Sequence, residues 1–213
     1  KSTTLAAMVD IINRERAEHI LTVEDPMEFI FESDKSIIDQ REVRFDTESF
    51  SSAMKSMFRE DINVAMIGEM RTAETIGTAV TAAETGHLIL STLHTNNAAQ
   101  TIDRIIDSFP GDQQNQIRSQ LSSSLLGVFS QRLLPRVSGG QVPAYELLIN
   151  NSAVANLIRE GRNAELNVVI ETGMESGMID MNHSLADLVG KGEISAETAM
   201  TYSLSPGQLK RLI

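Results

Sequence analysis

Three short β-favouring runs in this 213-residue chain end on polar residues of the kind that move protons or hold phosphate. His19 to Val23 runs into Glu24-Asp25-Pro26, Asn63 to Ile67 into Gly68-Glu69, and His87 to Thr92 is followed by His94-Thr95-Asn96. One acidic turn is ordinary surface polarity. Three clusters at the carboxyl ends of successive strands mean more, because an open parallel sheet binds its ligands along that edge. A fourth cluster, Lys1-Ser2-Thr3, leads into a helical pattern and matches the Lys-[Ser/Thr] end of a G-x-x-x-x-G-K-[ST] loop.

These residue types suit phosphoryl transfer. A lysine offers a point charge to the β- and γ-phosphates, a serine hydroxyl can sit on Mg²⁺, and a carboxylate at the tip of an apolar strand can orient the attacking water or support the metal. Glu69 also has a plainer use, as a capping acid ahead of Thr72. Positive charge around a γ-phosphate would come from arginine, and Arg41, Arg44, Arg59 and Arg71 are all near in sequence. Each suits a surface ion pair equally well. Of the four histidines, His19 and His183 read as ordinary surface or core residues. His87 opens the third strand and His94 follows it, which places them to read a phosphate or to couple the site to a neighbour. Flanking a strand, they lack the close spacing of a zinc-ligand pair.

Positioning these groups requires alternating helices and strands, and the periodicity supplies them. Leu5, Met8, Val9 and Ile12 form one helical face. Phe50, Ala53, Met54, Met57 and Phe58 form another, with Thr47 as the expected cap, and Thr72 to Thr85 a third that stops at Gly86. After Pro110 the pattern predicts a long helix carrying Ile117, Leu121, Leu125 and Val128, then a strand over 144–149. Short helical stretches follow, the last with Ser205 as cap, Pro206 at its first position and Gln208 completing a capping box. The alternation predicts an α/β fold around a parallel sheet over residues 1–150, with a small helical subdomain over 151–213.

Composition narrows the partners. A formal net charge of −11 disfavours a nucleic-acid or anionic-membrane footprint, so any phosphate chemistry must be local. No cysteine is present, which excludes disulfides and cysteine-based zinc sites and allows a reducing compartment. The longest apolar runs fall far short of the ~20 residues of a membrane helix. The chain opens at Lys1 without a methionine or a signal-like segment, and we read it as a piece of a longer protein.

Four stretches together resemble a known family. Lys1-Ser2-Thr3-Thr4-Leu5-Ala6-Ala7-Met8, Thr22-Val23-Glu24-Asp25-Pro26-Met27-Glu28-Phe29, Ile67-Gly68-Glu69-Met70-Arg71 and Ala82-Ala83-Glu84-Thr85-Gly86-His87-Leu88 are similar, in order and spacing, to the Walker A end, Asp box, Walker B and His box of the secretion ATPases. The His box continues through Ser91-Thr92-Leu93-His94-Thr95-Asn96. Within that superfamily Ala153 to Gly161 resembles the AIRNLIRE-type stretch of the pilus retraction motors of the PilT family. The absence of the tetra-cysteine zinc insertion usual in extension and type II secretion ATPases points the same way.

The resemblance implies a RecA-like P-loop core that works as a homo-hexamer with ATP and Mg²⁺, following a PAS-like domain. It implies a cytoplasmic, bacterial motor at the inner-membrane face, peripheral to the membrane through a pilus platform protein, binding no nucleic acid and driving type IV pilus retraction in twitching motility. It assigns catalysis to Glu69, Glu24, Glu28 and His94, nucleotide contacts to Lys1, Ser2, Thr3, Arg59, Arg71 and His87, and Mg²⁺ to Ser2 and Asp25. The alternatives are an accessory retraction ATPase, an assembly or type II secretion ATPase, or a non-hydrolysing nucleotide-dependent scaffold. Three departures stand out: Asp61-Ile62-Asn63 where the family usually has Asp-Pro-Asp, Arg44 where glycine is common, and Val154-Ala155 in place of Ile-Arg.

Overall fold

The computed structural model describes all 213 residues, and they fall into two compact units. One comprises residues 1–94 and 105–124, the other 95–104 and 125–213. The division therefore runs through a helix and ahead of residue 125, not near residue 150.

The first unit holds a four-stranded, wholly parallel sheet of order β2-β1-β3-β4, formed by β1 (His19–Glu24), β2 (Ile37–Glu42), β3 (Val64–Ile67) and β4 (Leu88–Ser91). Side chains alternate across it with the two-residue strand period. Ile20, Val64 and Met66 pack with Leu5 and Val9 of α1 (Ser2–Glu15). Leu21, Val23, Ala65 and Ile67 face the other way, onto Ala53, Met54 and Met57 of α2 (Phe50–Met57) and Ala79 and Ala82 of α3 (Ala73–Glu84). Strand β1 has its sequence successors on opposite sides, β2 on one and β3 on the other. The order of strand addition reverses between β1 and β3, and an open sheet forms its ligand crevice at that place.

Local chemistry explains most element ends. Thr72 caps α3 by accepting from the Thr75 amide, and Gly86 takes a φ of 102° after it. The cap of α2 is Ser49, which accepts from the Ser52 amide, while the Thr47 hydroxyl donates to the Ser49 carbonyl. Met8, expected on the buried face of α1, is exposed, and Asn13 is buried in the next turn instead. Strand β2 escaped the periodicity because Ile37-Ile38-Asp39-Gln40-Arg41-Glu42 is a polar edge strand with one neighbour. Just beyond it Arg44 adopts a φ of 80°, a left-handed conformation that strains a side chain with a Cβ and explains why glycine is common there in the resembling family.

The second unit contains an antiparallel pair, β5 (Gly127–Pro135) and β6 (Gln141–Ile149), with α6 (Ser152–Glu160), α7 (Leu166–Thr172), α8 (Met181–Gly190), α9 (Ala196–Tyr202) and α10 (Pro206–Leu209). Leu134, Val142 and Ala144 of the pair bury against Met181, Leu185, Ile194, Ala199 and Leu209. The dividing line runs through α4 (Ala98–Asp107), whose first amide is held within this unit by the buried Glu146 carboxylate at 2.8 Å.

Helix α5 (Gly111–Ser124) is shorter than its apolar spacing predicts, and Val128 lies on a strand. At Gly127 the chain passes so close to β6 that an added Cβ would sit 2.7 Å from the Leu148 carbonyl oxygen. Ser205 makes no side-chain cap at α10, and Gln208 reaches Glu171, so the expected capping box does not form.

Candidate functional site

The tips of β1, β3 and β4 converge with the first turn of α1 on one cleft of about 220 Å³ in the first unit. Lys1, Ser2, Glu24, Asp25, Glu28, Gly68, Glu69, Thr92 and His94 line its polar side. Sequence reasoning did not anticipate its apolar wall of Phe29, Phe31, Phe50 and Met66, since three of these lie outside the strand-end clusters and Met66 reads as core.

Backbone ties fix the strand tips. The Gly68 amide donates to the Val23 carbonyl at 2.8 Å, the Thr92 hydroxyl to the Gly68 carbonyl at 2.7 Å, and the Met70 amide to the Thr92 carbonyl at 3.2 Å. Glu69 therefore leaves β3 on a short, braced turn. Its carboxylate takes an ion pair from Arg71 and faces His94 Nε2 at 3.3 Å. The Arg71 guanidinium holds the Glu69 carboxyl below the usual carboxylate range against the opposing effect of burial, with His94 contributing less. Glu69 is thus an ionised acceptor, as a water-orienting group must be.

Glu24 has the opposite environment. It is 6% exposed, accepts from the Thr22 hydroxyl at 3.0 Å, and burial pushes its carboxyl up despite that bond and one from the Glu28 backbone. The neighbouring Asp25 carboxylate faces the exposed Arg44 guanidinium at 3.7 Å. Two acids of one site with pKa values driven apart form the usual basis for dividing acid and base roles.

Lys1 donates its Nζ to the Leu93 carbonyl, and partial burial lowers its pKa while Glu69 pulls it back up. Helix α1 begins one residue later, so the amides of its first turn and the positive end of its dipole face the same cleft edge as the lysine. The Ser2 hydroxyl donates to Glu28 at 3.0 Å. The carboxylates build no cluster of three that would hold a metal ion by themselves. Mg²⁺ is ordinarily held by one or two carboxylates with waters and substrate phosphate, and the oxygen donors Ser2 and Asp25, with Glu28 beside them, fit that mode.

Four expected residues do not line the cleft, although one of them, Arg71, still meets Glu69. Thr3 is exposed beside it without lining it. Arg59 follows the far end of α2, two turns beyond the Phe50 that does line the cleft. His87 sits at the opposite end of β4 from His94; seven residues of near-extended chain separate the two by roughly 20 Å. Its Nδ1 lies 3.0 Å from the Ala82 carbonyl and 3.1 Å from the Thr85 hydroxyl, and its ring packs edge-on against Phe58 at 5.7 Å. Among the other arginines, Arg41 is committed to Glu60 at 2.7 Å and to Ser56. Only Arg71 and Arg44 of the four candidates meet acids of the site.

The family model described as type II/IV secretion system protein matches residues 1–188. The chain is 51% identical over 206 residues to the type IV pilus retraction ATPase PilT of Pseudomonas aeruginosa, covering 97% of this chain and 60% of that protein. It is 53% identical over 200 residues to a twitching motility protein of Neisseria gonorrhoeae, covering 93% and 54% respectively. A crystal structure of the pilus retraction motor PilT with bound ADP superimposes with a TM-score of 0.92 at 50% identity, over 99% of this chain and 60% of that one. The chain thus spans little more than half the length of the curated relatives it matches.

Proposed function

Since the chain belongs to the type II/IV secretion system protein family, we propose that it is the catalytic part of an ATP-hydrolysing motor that drives retraction of type IV pili. The observation that carries the reading is the convergence on one cleft of a lysine, a helix N-terminus, an ionised glutamate and a set of oxygen donors.

In this reading the first turn of α1 and Lys1 take the phosphates of ATP. The Lys1 ammonium is partly desolvated by its surroundings, so its attraction for phosphate is stronger than on an open surface. Bound with the nucleotide, Mg²⁺ would neutralise phosphate charge, with Ser2 and Asp25 as its protein-side oxygens. Glu69 accepts a hydrogen bond from the attacking water and aims its lone pair at the γ-phosphorus, while His94 and Arg71 hold the carboxylate in place. Glu24, whose carboxyl burial pushes up, and Glu28 complete the acidic edge.

Arg71, which is exposed, is the arginine best placed to swing toward developing charge on the phosphoryl group. The ring is a homo-hexamer with nucleotide between subunits, acting on a pilus platform protein from the cytoplasmic face of the inner membrane. No helix is long and apolar enough to cross a membrane, in keeping with attachment through that partner.

The test is ATP turnover of the intact protein beside Glu69→Gln, with mass in solution read in parallel. Turnover by a hexamer that falls about 10²- to 10⁴-fold in the variant, with nucleotide binding retained, supports the motor. A folded, nucleotide-bound ring with no turnover refutes hydrolysis and leaves a scaffold.

A further inference from the structure

Two of the pieces of chain that line the cleft must stay in register: the first turn of α1, with Lys1 and Ser2, and the segment 25–36, with Asp25, Glu28, Phe29 and Phe31. This segment joins two parallel strands without the helix such a crossover usually contains. It therefore has no ladder of its own to hold it in place.

Its far end is tied to the last turn of α1, chiefly through Asn13. Asn13, in the last turn of α1, is 3% exposed. Its Nδ2 donates to the Glu32 carbonyl at 2.8 Å and its Oδ1 accepts from the Asp34 amide at 2.9 Å. Its own carbonyl, freed at the helix end, accepts from the Lys35 amide at 3.0 Å. Ser36 adds a bond to the Arg16 carbonyl at 2.6 Å. From there the chain returns to the cleft through Phe31, whose amide donates to Gln40 at 2.8 Å, and ends at Glu28, which meets Ser2 at 3.0 Å. The helix that presents the phosphate-binding turn at one end thus grips the opposing cleft wall from its other end.

We propose that Asn13 is a positioning residue for nucleotide binding, keeping the 27–36 wall, and with it Glu28, in register with Ser2 through the rigid length of α1. A buried amide that satisfies two backbone groups of a crossing loop fills a place where an apolar residue would otherwise continue the helix face, and an alanine there orphans both groups. This inference rests on the nucleotide-binding reading of the cleft.

The experiment uses the intact protein with Asn13→Ala and Asn13→Asp, the latter keeping the acceptor for Asp34 and losing the donor to Glu32. Hydrogen–deuterium exchange of peptides over 27–36 without nucleotide is expected to speed up in both variants, more in Asn13→Ala, with β3 peptides unchanged. Affinity for Mg-ADP should fall about tenfold in Asn13→Ala. Repeated in a Glu28→Gln background, the same substitution should lower affinity by less than about twofold, because coupled residues are non-additive. Unchanged exchange over 27–36, or a full tenfold loss in the Glu28→Gln background, overturns the proposal. If Asn13→Ala does not fold, Asn13→Asp is read by the same criteria. A wild type that binds no nucleotide refutes the functional reading, and the exchange data alone then decide whether Asn13 holds the wall.

Discussion

Glu69 and His94 face each other at 3.3 Å from the ends of two adjacent parallel strands, with Arg71 closing on the same carboxylate from the exposed side. The carboxylate is held ionised between two groups that can themselves move when a ligand arrives, so the pair bears directly on how the site responds to pH and to substitution.

Replacing Arg71 with glutamine removes the largest cause of the lowered Glu69 pKa. The carboxyl then titrates closer to its ordinary value of 4.5, and the acid limb of the turnover profile moves to higher pH. The shift is read from kcat/KM across the acid range. An unmoved limb would mean that Glu69 does not set it.

Lys1→Ala should weaken binding of a nucleoside triphosphate by about tenfold to a hundredfold, the worth of one hydrogen bond to a charged group. Titration calorimetry on the intact protein measures it. The same substitution should leave thermal stability nearly unchanged, because the lysine is exposed and its side chain makes one hydrogen bond, to the Leu93 carbonyl, beside a screened attraction to Glu69.

Glu24 carries the opposite linkage to Glu69. Its folded pKa is raised by burial, so its contribution to stability is fully present below the ordinary carboxylate value and is lost as pH rises through the raised one. Glu24→Gln keeps an acceptor for the Thr22 hydroxyl and removes the buried charge. Its melting temperature should exceed that of the wild type at neutral pH, and the difference should vanish as pH falls below the folded pKa. A variant less stable at neutral pH would show that the charge has a compensating partner.

Arg44→Gly should stabilise the first unit by up to about 1 kcal/mol. Relief of the left-handed backbone outweighs the added freedom of glycine in the unfolded chain. The lost contact with Asp25 is exposed and worth little. Denaturant midpoints at constant slope give the value, and a lower midpoint would locate more energy in the Arg44–Asp25 pair than its geometry suggests.

The sequence by itself determined the strand-end clusters. A parallel sheet with polar residues after each strand puts Glu24, Glu69 and His94 on one edge whatever the details of packing, and a lysine at the head of a helix adds to that edge. The caps that form at Thr72 and Asn151 are short-range, each hydrogen bond being made within three residues.

Only the tertiary structure decided which candidates share the cleft. The resemblance assigned both His87 and His94 to the site, but β4 holds them at opposite ends and only His94 reaches the cleft. Polar edge strands carry almost no apolar signal, which hid β2, and with it the wall built by Phe29 and Phe31. The roles of Asn13 and Glu146 were equally invisible, since a buried polar side chain is defined by the backbone groups it satisfies, and those lie 19 and 48 residues away in the chain.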